Sequence, residues 1–286
     1  MTIDEAVFRK LWPGGPARYA EQESFWNRRA DEFGRLLEDP ERRKRVEDLL
    51  AWLRAEGVPH PPARVLDIGC GPGTHAIFLA REGYDVTGVD IAERMVERAR
   101  AYAERYGVAE RAHFVRAIWE ELDLDAVGWR GAFDLVFASN TPAIRNADAF
   151  LKMVEASRNA GFFSGFVWRR DSLREELEAA LGFRPTEDVF REAFDEPRVY
   201  AVLNLLWLRG FHPSVTYRRG GWTQRLTVED AVDRYLQRIV REAGEEAALR
   251  KEIRAFLERR ADAEGMVTTH VRTKMAWIFW RREDDE

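Results

Sequence analysis

The glycine-rich stretch at residues 69–73 constrains the fold of this chain more than any other segment. It follows a short apolar run at residues 65–68, and a helical pattern begins directly after it. Glycine adopts positive φ angles and leaves no Cβ between the backbone and a ligand. A strand, a glycine loop and a helix in this order let the backbone approach a nucleotide-like ligand closely. The stretch therefore predicts a strand–loop–helix unit that binds such a ligand.

A carboxylate at Asp90 supports this interpretation. It ends the next predicted strand and lies 23 positions after Asp67. An acid that binds a ribose is expected roughly 20 positions on. The glycines stand at every second position, unlike the G-x-G-x-x-G of a dinucleotide-binding loop. The two segments together favour a loop that binds a nucleotide-like ligand over an ordinary βα turn.

Strands alternate with helices from residue 64 to residue 168. The predicted strands span residues 64–68, 85–89, 112–116, 133–138 and 161–168. The predicted helices between them span about residues 74–82, 92–106 and 147–158. This alternation is typical of a parallel sheet with right-handed crossovers.

The segments on either side of this region follow other patterns. The first 60 residues are charged and helical, and prolines at positions 59, 61 and 62 predict a boundary there. We expect an N-terminal helical cap over residues 1–60. We also expect one domain over residues 61–286, with a helical insertion at about 170–212. Towards the end of the chain, the patterns predict strands at 213–226 and 267–280 and helices at 228–240 and 245–262.

Composition limits the classes of binding partner and the cellular compartment that we expect. The chain has 286 residues and a net charge of −5, which does not favour nucleic acid or an anionic membrane, although local basic patches stay open. The only cysteine is Cys70, which fits a reducing cytoplasm. We expect no signal peptide, and no apolar run approaches the roughly 20 residues of a membrane span.

Three segments resemble motifs of the class I S-adenosylmethionine-dependent methyltransferases. Residues 65–73 resemble the first motif, residues 86–91 the second, and residues 133–136 the motif of the fourth strand. The resemblance covers residues 60–170, and it fits the tail, where the family adds two strands in a hairpin. It implies an α/β, Rossmann-like fold with a seven-stranded, mostly parallel sheet and helices on both faces. It also implies S-adenosylmethionine as the cofactor.

The resemblance assigns cofactor-binding roles to individual positions. The segment expected along the methionine and ribose portions comprises Asp67, Gly69, Cys70, Gly71 and Gly73. Asp90 would accept hydrogen bonds from both ribose hydroxyls. The residues expected at the adenine are Ile91, Ile118 and Trp119, and those expected beside the sulfonium are Asn140 and Thr141.

Two positions depart from the family pattern. Ile118 stands where the family often has an acid that accepts the adenine amino group, which leaves a backbone carbonyl or Glu120 for that contact. Residues 139–143 resemble the Asn-Pro-Pro-aromatic motif of methyltransferases that act on amino groups. However, Thr141 replaces the first proline and Ala143 the aromatic residue. The segment is therefore interpreted as a loop that lines the cofactor.

Candidates for the acceptor side come from the flanking segments. Tyr19 and Trp26 are candidates for a lid, since aromatic rings attract a sulfonium cation. Tyr19, His212 and His270 are candidate catalytic residues, the histidines as bases at the acceptor site. The histidine spacing does not suggest a metal site.

The sequence thus predicts methyl transfer from S-adenosylmethionine to a small-molecule acceptor by in-line displacement. Alternatives are a protein or RNA methyltransferase and a non-catalytic regulator that binds S-adenosylmethionine. The acceptor, the methylated atom and the oligomeric state stay open.

Overall fold

A computed structural model of the protein describes residues 4–35, 38–182, 197–239 and 246–282. The chain forms two compact units. Unit 1 comprises Met1–Gly165, Pro197–Thr216 and Ala276–Glu286, and unit 2 comprises Phe166–Glu196 and Tyr217–Met275. The predicted domains follow other boundaries. The first 60 residues cluster with the glycine-loop region in unit 1, and the predicted insertion is divided between the units.

Seven strands form a single mixed sheet in the order β3-β2-β1-β4-β5-β7-β6. They are β1 Arg64–Ile68, β2 Asp85–Asp90, β3 Ala112–Arg116, β4 Phe133–Ser139, β5 Ser157–Asp171, β6 Ser214–Thr227 and β7 Met266–Arg281. The pairs β1–β2, β1–β4, β2–β3 and β4–β5 are parallel. Within unit 2, Gly220 lies beside Thr273 and Thr223 beside His270, so β6 and β7 run in opposite directions. The predicted Rossmann-like sheet is confirmed.

The described part of the chain contains ten helices. They are α1 Glu5–Leu11, α2 Tyr19–Arg35, α3 Pro40–Ala55, α4 Thr74–Arg81, α5 Glu93–Arg105, α6 Ala147–Ala156, α7 Ser172–Ala180, α8 Arg198–Leu208, α9 Val228–Ile239 and α10 Glu246–Glu258. None of these helices combines the length and the apolar composition needed to cross a membrane. Strand β5 runs from residue 157 to residue 171, longer than the predicted 161–168. The predicted insertion is helical over α7 and α8, while residues 183–196 lie outside the described residues.

Unit 1 is built around the central strands. Side chains of β1 and β4 are almost fully buried on both faces of the sheet, as in parallel sheets with helices on each side. Gly161 on β5 allows the ring of Trp280 on β7 to pack against the backbone, because a Cβ there would lie 2.1 Å from that ring. The sheet therefore offers a rigid base for the loops at its carboxyl ends.

Helix α2 is attached next to those carboxyl ends. Glu23 accepts a hydrogen bond of 2.7 Å from Arg116, the last residue of β3. Asn27 accepts one of 3.0 Å from the backbone N–H of Arg94, just after β2. The N-terminal helices thus lie where ligands bind in open α/β sheets.

Unit 2 has its own core. Side chains of α7, α9 and α10 pack with Val267 of β7. Asp171 at the end of β5 is buried within this unit and accepts hydrogen bonds from Tyr235 (3.0 Å) and Thr269 (2.5 Å). Burial, together with Asp171, raises the pKa of the Tyr235 phenol, so the cluster keeps its proton and fixes the end of the strand.

Candidate functional site

The glycine loop joins β1 to α4 through three residues with positive φ: Gly69 (67°), Gly71 (53°) and Gly73 (80°). Their surroundings differ. A Cβ on Gly69 would lie 1.8 Å from Oγ1 of Thr141, while a Cβ on Gly71 would have nothing within 4 Å. Gly69 therefore allows the loop after β4 to pack closely, and Gly71 exposes its backbone to open space.

Helix α4 begins immediately after this loop, at Thr74. Its N-cap is Gly73, and no side chain there accepts the hydrogen bonds of the first backbone N–H groups. A Cβ on Gly73 would lie 3.0 Å from the Phe114 ring, so the residue also sets how closely the helix packs on β3. The start of such a helix favours a carboxylate or another anion.

Asp90 joins the glycine loop to the segment after β2. Its Oδ2 accepts a hydrogen bond from the backbone N–H of Gly71 (2.9 Å), and its Oδ1 accepts one from Ala92 (2.8 Å). Burial raises the pKa of Asp90, and these backbone donors partly oppose the shift. Because each carboxylate oxygen accepts more than one hydrogen bond, Asp90 keeps capacity for two ligand hydroxyls.

Asp67 lies beneath the loop and is 2% exposed. A backbone hydrogen bond from Ala76 reaches its carboxyl group, but its Oδ2 is buried with no hydrogen-bond partner in the described structure. Burial, and then the negative charge of Asp90, raise its pKa to about 7. An unpartnered buried oxygen is costly, so this atom is prepared to accept a hydrogen bond from a ligand.

Cys70 is not a nucleophile in this arrangement. The residue is 6% exposed, and its Sγ lies 3.6 Å from the carbonyl oxygen of Gly71. Burial and the neighbouring carboxylates raise the pKa of the thiol well above its usual value. The group therefore stays protonated, and its place along the cofactor stays a prediction.

The residues predicted at the adenine are placed differently from one another. Ile91 directly follows Asp90 and packs against the buried cluster of Ala30, Ala92 and Met95. Ile118 is half-buried after β3. The Trp119 indole is 3% exposed and donates its N–H to the carbonyl of Ala149 on α6 (3.0 Å). In this position the ring packs within the protein, and the Trp119 carbonyl oxygen accepts a hydrogen bond from Lys152 Nζ (3.0 Å).

Glu120 is held by several protein groups, and its role as the alternative acceptor for the adenine amino group stays a prediction. Its Oε1 accepts a hydrogen bond from Asn146 Nδ2 (2.7 Å), and its Oε2 lies 2.9 Å from Arg145 Nε. The hydroxyl of Tyr19 donates to the same Oε2 at 3.2 Å. We call these four residues the Glu120 cluster. Arg145 and Asn146 were not singled out from the sequence, in which no local pattern marks them.

Tyr19 is a hydrogen-bond donor within this cluster. Burial and the Glu120 charge raise the pKa of its phenol, which stays protonated near neutral pH. The guanidinium of Arg145 lies 5.7 Å from the ring centroid. As placed, Tyr19 holds the start of α2 and is not a general base.

Thr141 lies beside Gly69 of the glycine loop, and Asn140 precedes it at the end of β4; their place beside the sulfonium stays a prediction. Asn140 is exposed and has a φ of 48°, a left-handed conformation that asparagine tolerates better than most residues. Thr141 is buried, and its Oγ1 accepts a hydrogen bond from the backbone N–H of Ala143 (3.1 Å). The turn presents the Asn140 side chain at the carboxyl end of β4.

Trp26 lies on α2 within an aromatic cluster. Its ring meets Phe25 at 4.9 Å and Phe33 at 5.5 Å between centroids, and it packs with Ala92 and Met95. This places it beside the segment that follows Asp90. Its role as a lid stays a prediction.

The two candidate histidines lie in different units. His212 is an exposed residue of unit 1. His270 belongs to unit 2, where its Nδ1 lies 3.0 Å from Thr223 Oγ1. Among the described residues, no group of three or more His, Cys, Asp or Glu side chains could hold a metal ion.

Comparison with known proteins identifies the type of domain that contains the glycine loop. A family model described as a methyltransferase domain matches residues 65–161, from β1 into β5. Residues 65–161 therefore carry a methyltransferase domain of the class I S-adenosylmethionine-dependent type. Its methyl donor is S-adenosylmethionine.

Individual relatives of this methyltransferase differ in what their names say they act on. An uncharacterised protein of Haemophilus influenzae is 27% identical over 219 residues, 76% of this chain and 75% of that protein. A release factor glutamine methyltransferase of Chlorobaculum tepidum is 35% identical over 150 residues, half of each chain. The structure of magnesium protoporphyrin IX methyltransferase from Synechocystis, with bound SAH, covers 97% of this chain and 93% of its own at 17% identity and a TM-score of 0.47.

The residues at the glycine loop fit S-adenosylmethionine. Gly71 leaves open space where a ligand must approach the backbone, and Asp67 offers an unpartnered oxygen. The Asp90 carboxylate lies next to the Gly71 backbone. The first backbone N–H groups of α4 have no side-chain cap. These acceptors and backbone donors suit a ligand with two hydroxyls, an ammonium and a carboxylate.

Proposed function

We propose that this methyltransferase binds S-adenosylmethionine through the glycine loop and Asp90, and transfers its methyl group to a small-molecule acceptor. The observation that carries the proposal is the Asp90 carboxylate, which bridges the open Gly71 backbone and the start of α5. Two hydroxyls on adjacent carbons suit the two oxygens of one carboxylate.

The other contacts follow from the positions of the side chains. The Oδ2 of Asp67 would accept a hydrogen bond from the ammonium of the methionine portion, and the first N–H groups of α4 would face its carboxylate. Ile91 and Ile118 would flank the adenine, with the backbone of Trp119 nearby. Asn140 and Thr141 would lie beside the sulfonium.

The protein's contribution to the reaction is positioning. When bound, S-adenosylmethionine supplies an electrophilic methyl carbon on a sulfonium that is already a good leaving group. The chain has to hold the acceptor in line with that carbon and exclude water. Tyr19 and Cys70 both retain their protons, so neither serves as a base. A base is needed only if the acceptor arrives protonated, and His212 and His270 stay candidates.

The loop after β4 supports a small-molecule acceptor. The turn at residues 140–143 resembles that of methyltransferases acting on amino groups. However, Ala143 offers no ring on which a planar target could stack. Protein and RNA acceptors, and a regulator that only binds S-adenosylmethionine, are the competing functions. A cytoplasmic location, predicted from the single Cys70, remains a prediction.

One experiment separates these functions. The protein is incubated with S-adenosylmethionine tritiated on the methyl group and an extract divided into metabolites, protein and RNA. Label in the metabolite fraction supports the proposal, whereas label in protein or RNA rejects the small-molecule acceptor. Cofactor binding without transfer to any fraction favours the regulator. Asp90→Ala is the control for transfer that depends on the site.

A further inference from the structure

In unit 2, strand β7 has one covered face and one outward face, whereas β6 has no buried residue. Thr269, Val271 and Thr273 of β7 are buried on the covered face, which continues into the core formed with α7, α9 and α10. Strand alternation directs the residues between them outward. His270 is accordingly exposed on the outward face.

Two contacts fix which residues of β6 share that outward face. His270 Nδ1 lies 3.0 Å from Thr223 Oγ1, and Lys274 Nζ lies 4.5 Å from the centroid of the Tyr217 ring. Arg219 and Arg272 lie between these contacts by alternation, and both are exposed. On β5, Arg170 faces away from the buried Asp171. We call the resulting surface the basic face: Arg170, Tyr217, Arg219, His270, Arg272 and Lys274.

Positive charge is segregated onto these strands. Residues 166–171, 217–227 and 266–275 contain seven lysines and arginines and one acidic residue, Asp171. That acid is buried on the opposite side of the sheet. Four of the seven cations lie on the basic face, because alternation places Arg169 and Arg218 on the opposite side and Arg225 pairs with Asp262 (2.5 Å) and Glu264 (3.0 Å). The whole chain has an acidic excess of 50 to 45, so its net charge conceals this local positive surface.

The central cations of the basic face also differ from other arginines in their pairing. Arg116 and Arg130, for example, lie 2.7 Å from carboxylate oxygens. Within the described structure, neither Arg219 nor Arg272 has a carboxylate within ion-pair distance. Arg170 has Glu175 only at 3.9 Å. Two adjacent unneutralised guanidiniums repel each other, a cost that a bound polyanion removes.

Protection of a sheet edge does not explain this arrangement. Charged side chains on an edge strand prevent pairing with other chains, and β6 is an edge strand of the sheet. That accounts for Arg219. Arg272 and Lys274 lie on β7, an inner strand, and Arg170 lies on β5.

We propose that the basic face binds a single-stranded nucleic acid. Same-face residues repeat about every 6.6 Å along a strand, so the cations form a row that can follow a phosphate backbone. Tyr217 is 50% exposed and, with His270, adds rings on which bases can stack. Over residues 217–225 and 268–274 the outward positions hold no aliphatic side chain, which argues against insertion into a lipid surface. The proposal concerns binding and does not depend on the identity of the methyl acceptor.

The test is fluorescence anisotropy of the full chain with labelled single-stranded RNA and DNA of about 16 nucleotides, over a range of salt concentrations. The double variant Arg219→Glu/Arg272→Glu should bind at least tenfold more weakly. Its plot of log affinity against log salt should be shallower by about 1.4, since each lost phosphate contact removes about 0.7. Tyr217→Ala should weaken binding severalfold and leave that slope unchanged.

The matched control is Lys251→Glu/Arg259→Glu, which makes the same charge change at exposed positions in and just after α10. It should keep most of the affinity. Equal losses in both double variants, or no binding by the unmodified chain, would overturn the proposal. So would binding only to phosphatidylserine vesicles or acidic peptides through this face. Binding of S-adenosylmethionine, measured on each variant, confirms folding and keeps the result separate from failure of the proposed function.

Discussion

Glu120 and Arg145 form an ion pair of 2.9 Å in which both side chains are largely enclosed, at 14% and 13% exposure. The same guanidinium donates to the carbonyl oxygens of Gly15 (2.7 Å) and Pro16 (3.1 Å), just before α2. Glu120 follows the predicted adenine-binding positions on the loop after β3, and Arg145 lies on the loop after β4. The pair therefore connects the segment before α2 to the loops after β3 and β4.

Replacing Arg145 by methionine should loosen that attachment. It leaves the Glu120 carboxylate enclosed without its cation, which destabilises a protein by about 3 kcal/mol. Trypsin should then cleave faster after Arg18, and calorimetry should show weaker binding of S-adenosylmethionine. Arg130→Met is the control, because it removes an exposed arginine that pairs with Asp125 and Glu155 away from this cluster. If both variants matched the unmodified protein in cleavage rate and cofactor affinity, the ion pair would not hold the N-terminal segment in place.

Gly69 and Gly71 should respond differently to the same substitution. Both have positive φ, so alanine strains the backbone at either position by about 1–2 kcal/mol. At Gly69 the new methyl group also collides with Thr141, so Gly69→Ala should lower the midpoint of thermal unfolding markedly. At Gly71 the space is open, so Gly71→Ala should remain folded but bind the cofactor at least tenfold more weakly. A Gly71→Ala protein with normal affinity would show that no ligand passes that backbone.

Asp90→Ala tests the central contact of the proposed function. A hydrogen bond to a charged group contributes about 1.5–3 kcal/mol, so affinity for S-adenosylmethionine should fall at least tenfold in calorimetry. Asp90→Asn should recover part of the loss, since one oxygen of the amide still accepts a hydrogen bond. Unchanged affinity in the alanine variant would remove Asp90 from the cofactor site.

Local pattern predicted most of the fold. Strand β1 matches its predicted bounds, because an apolar run before a glycine loop leaves little freedom in where the strand ends. The end of β5 was missed because the strand continues past Trp168 into the arginines at 169 and 170, which interrupt the apolar pattern. Arg170 lies on the outward face of the unit 2 strands, which is exposed and therefore not apolar.

A site residue could be predicted only where its side-chain chemistry occurs at a fixed position within a backbone motif. Asp90 was found because a carboxylate at the end of β2 has a recognisable distance from the glycine loop. The Glu120–Arg145 pair joins two loops, and no local spacing encodes such a contact. Trp119 was predicted at the adenine, yet its indole packs on α6, since an apolar ring suits either environment equally well.

The buried Asp67 carboxyl should make the cofactor-free protein less stable as pH rises. Its pKa is about 7 in the folded chain and about 3.9 in the unfolded chain. Below pH 4 both states are protonated and the folded state suffers no penalty. Between pH 4 and 7 the unfolded state loses the proton first, so stability declines until the folded group ionises too. Burial of Asp90 acts in the same direction.

Asp67→Asn should flatten this decline, because it removes the ionisable group and keeps the shape of the side chain. In urea unfolding without cofactor, we expect the variant to exceed the unmodified protein by about 2–4 kcal/mol at pH 8 and to be close to it at pH 4. Asp134→Asn, on β4 beside Arg158, should keep the decline. S-adenosylmethionine should bind the Asp67→Asn variant more weakly, since its ammonium loses a charged acceptor. Parallel pH profiles for Asp67→Asn and the unmodified protein would contradict the assignment.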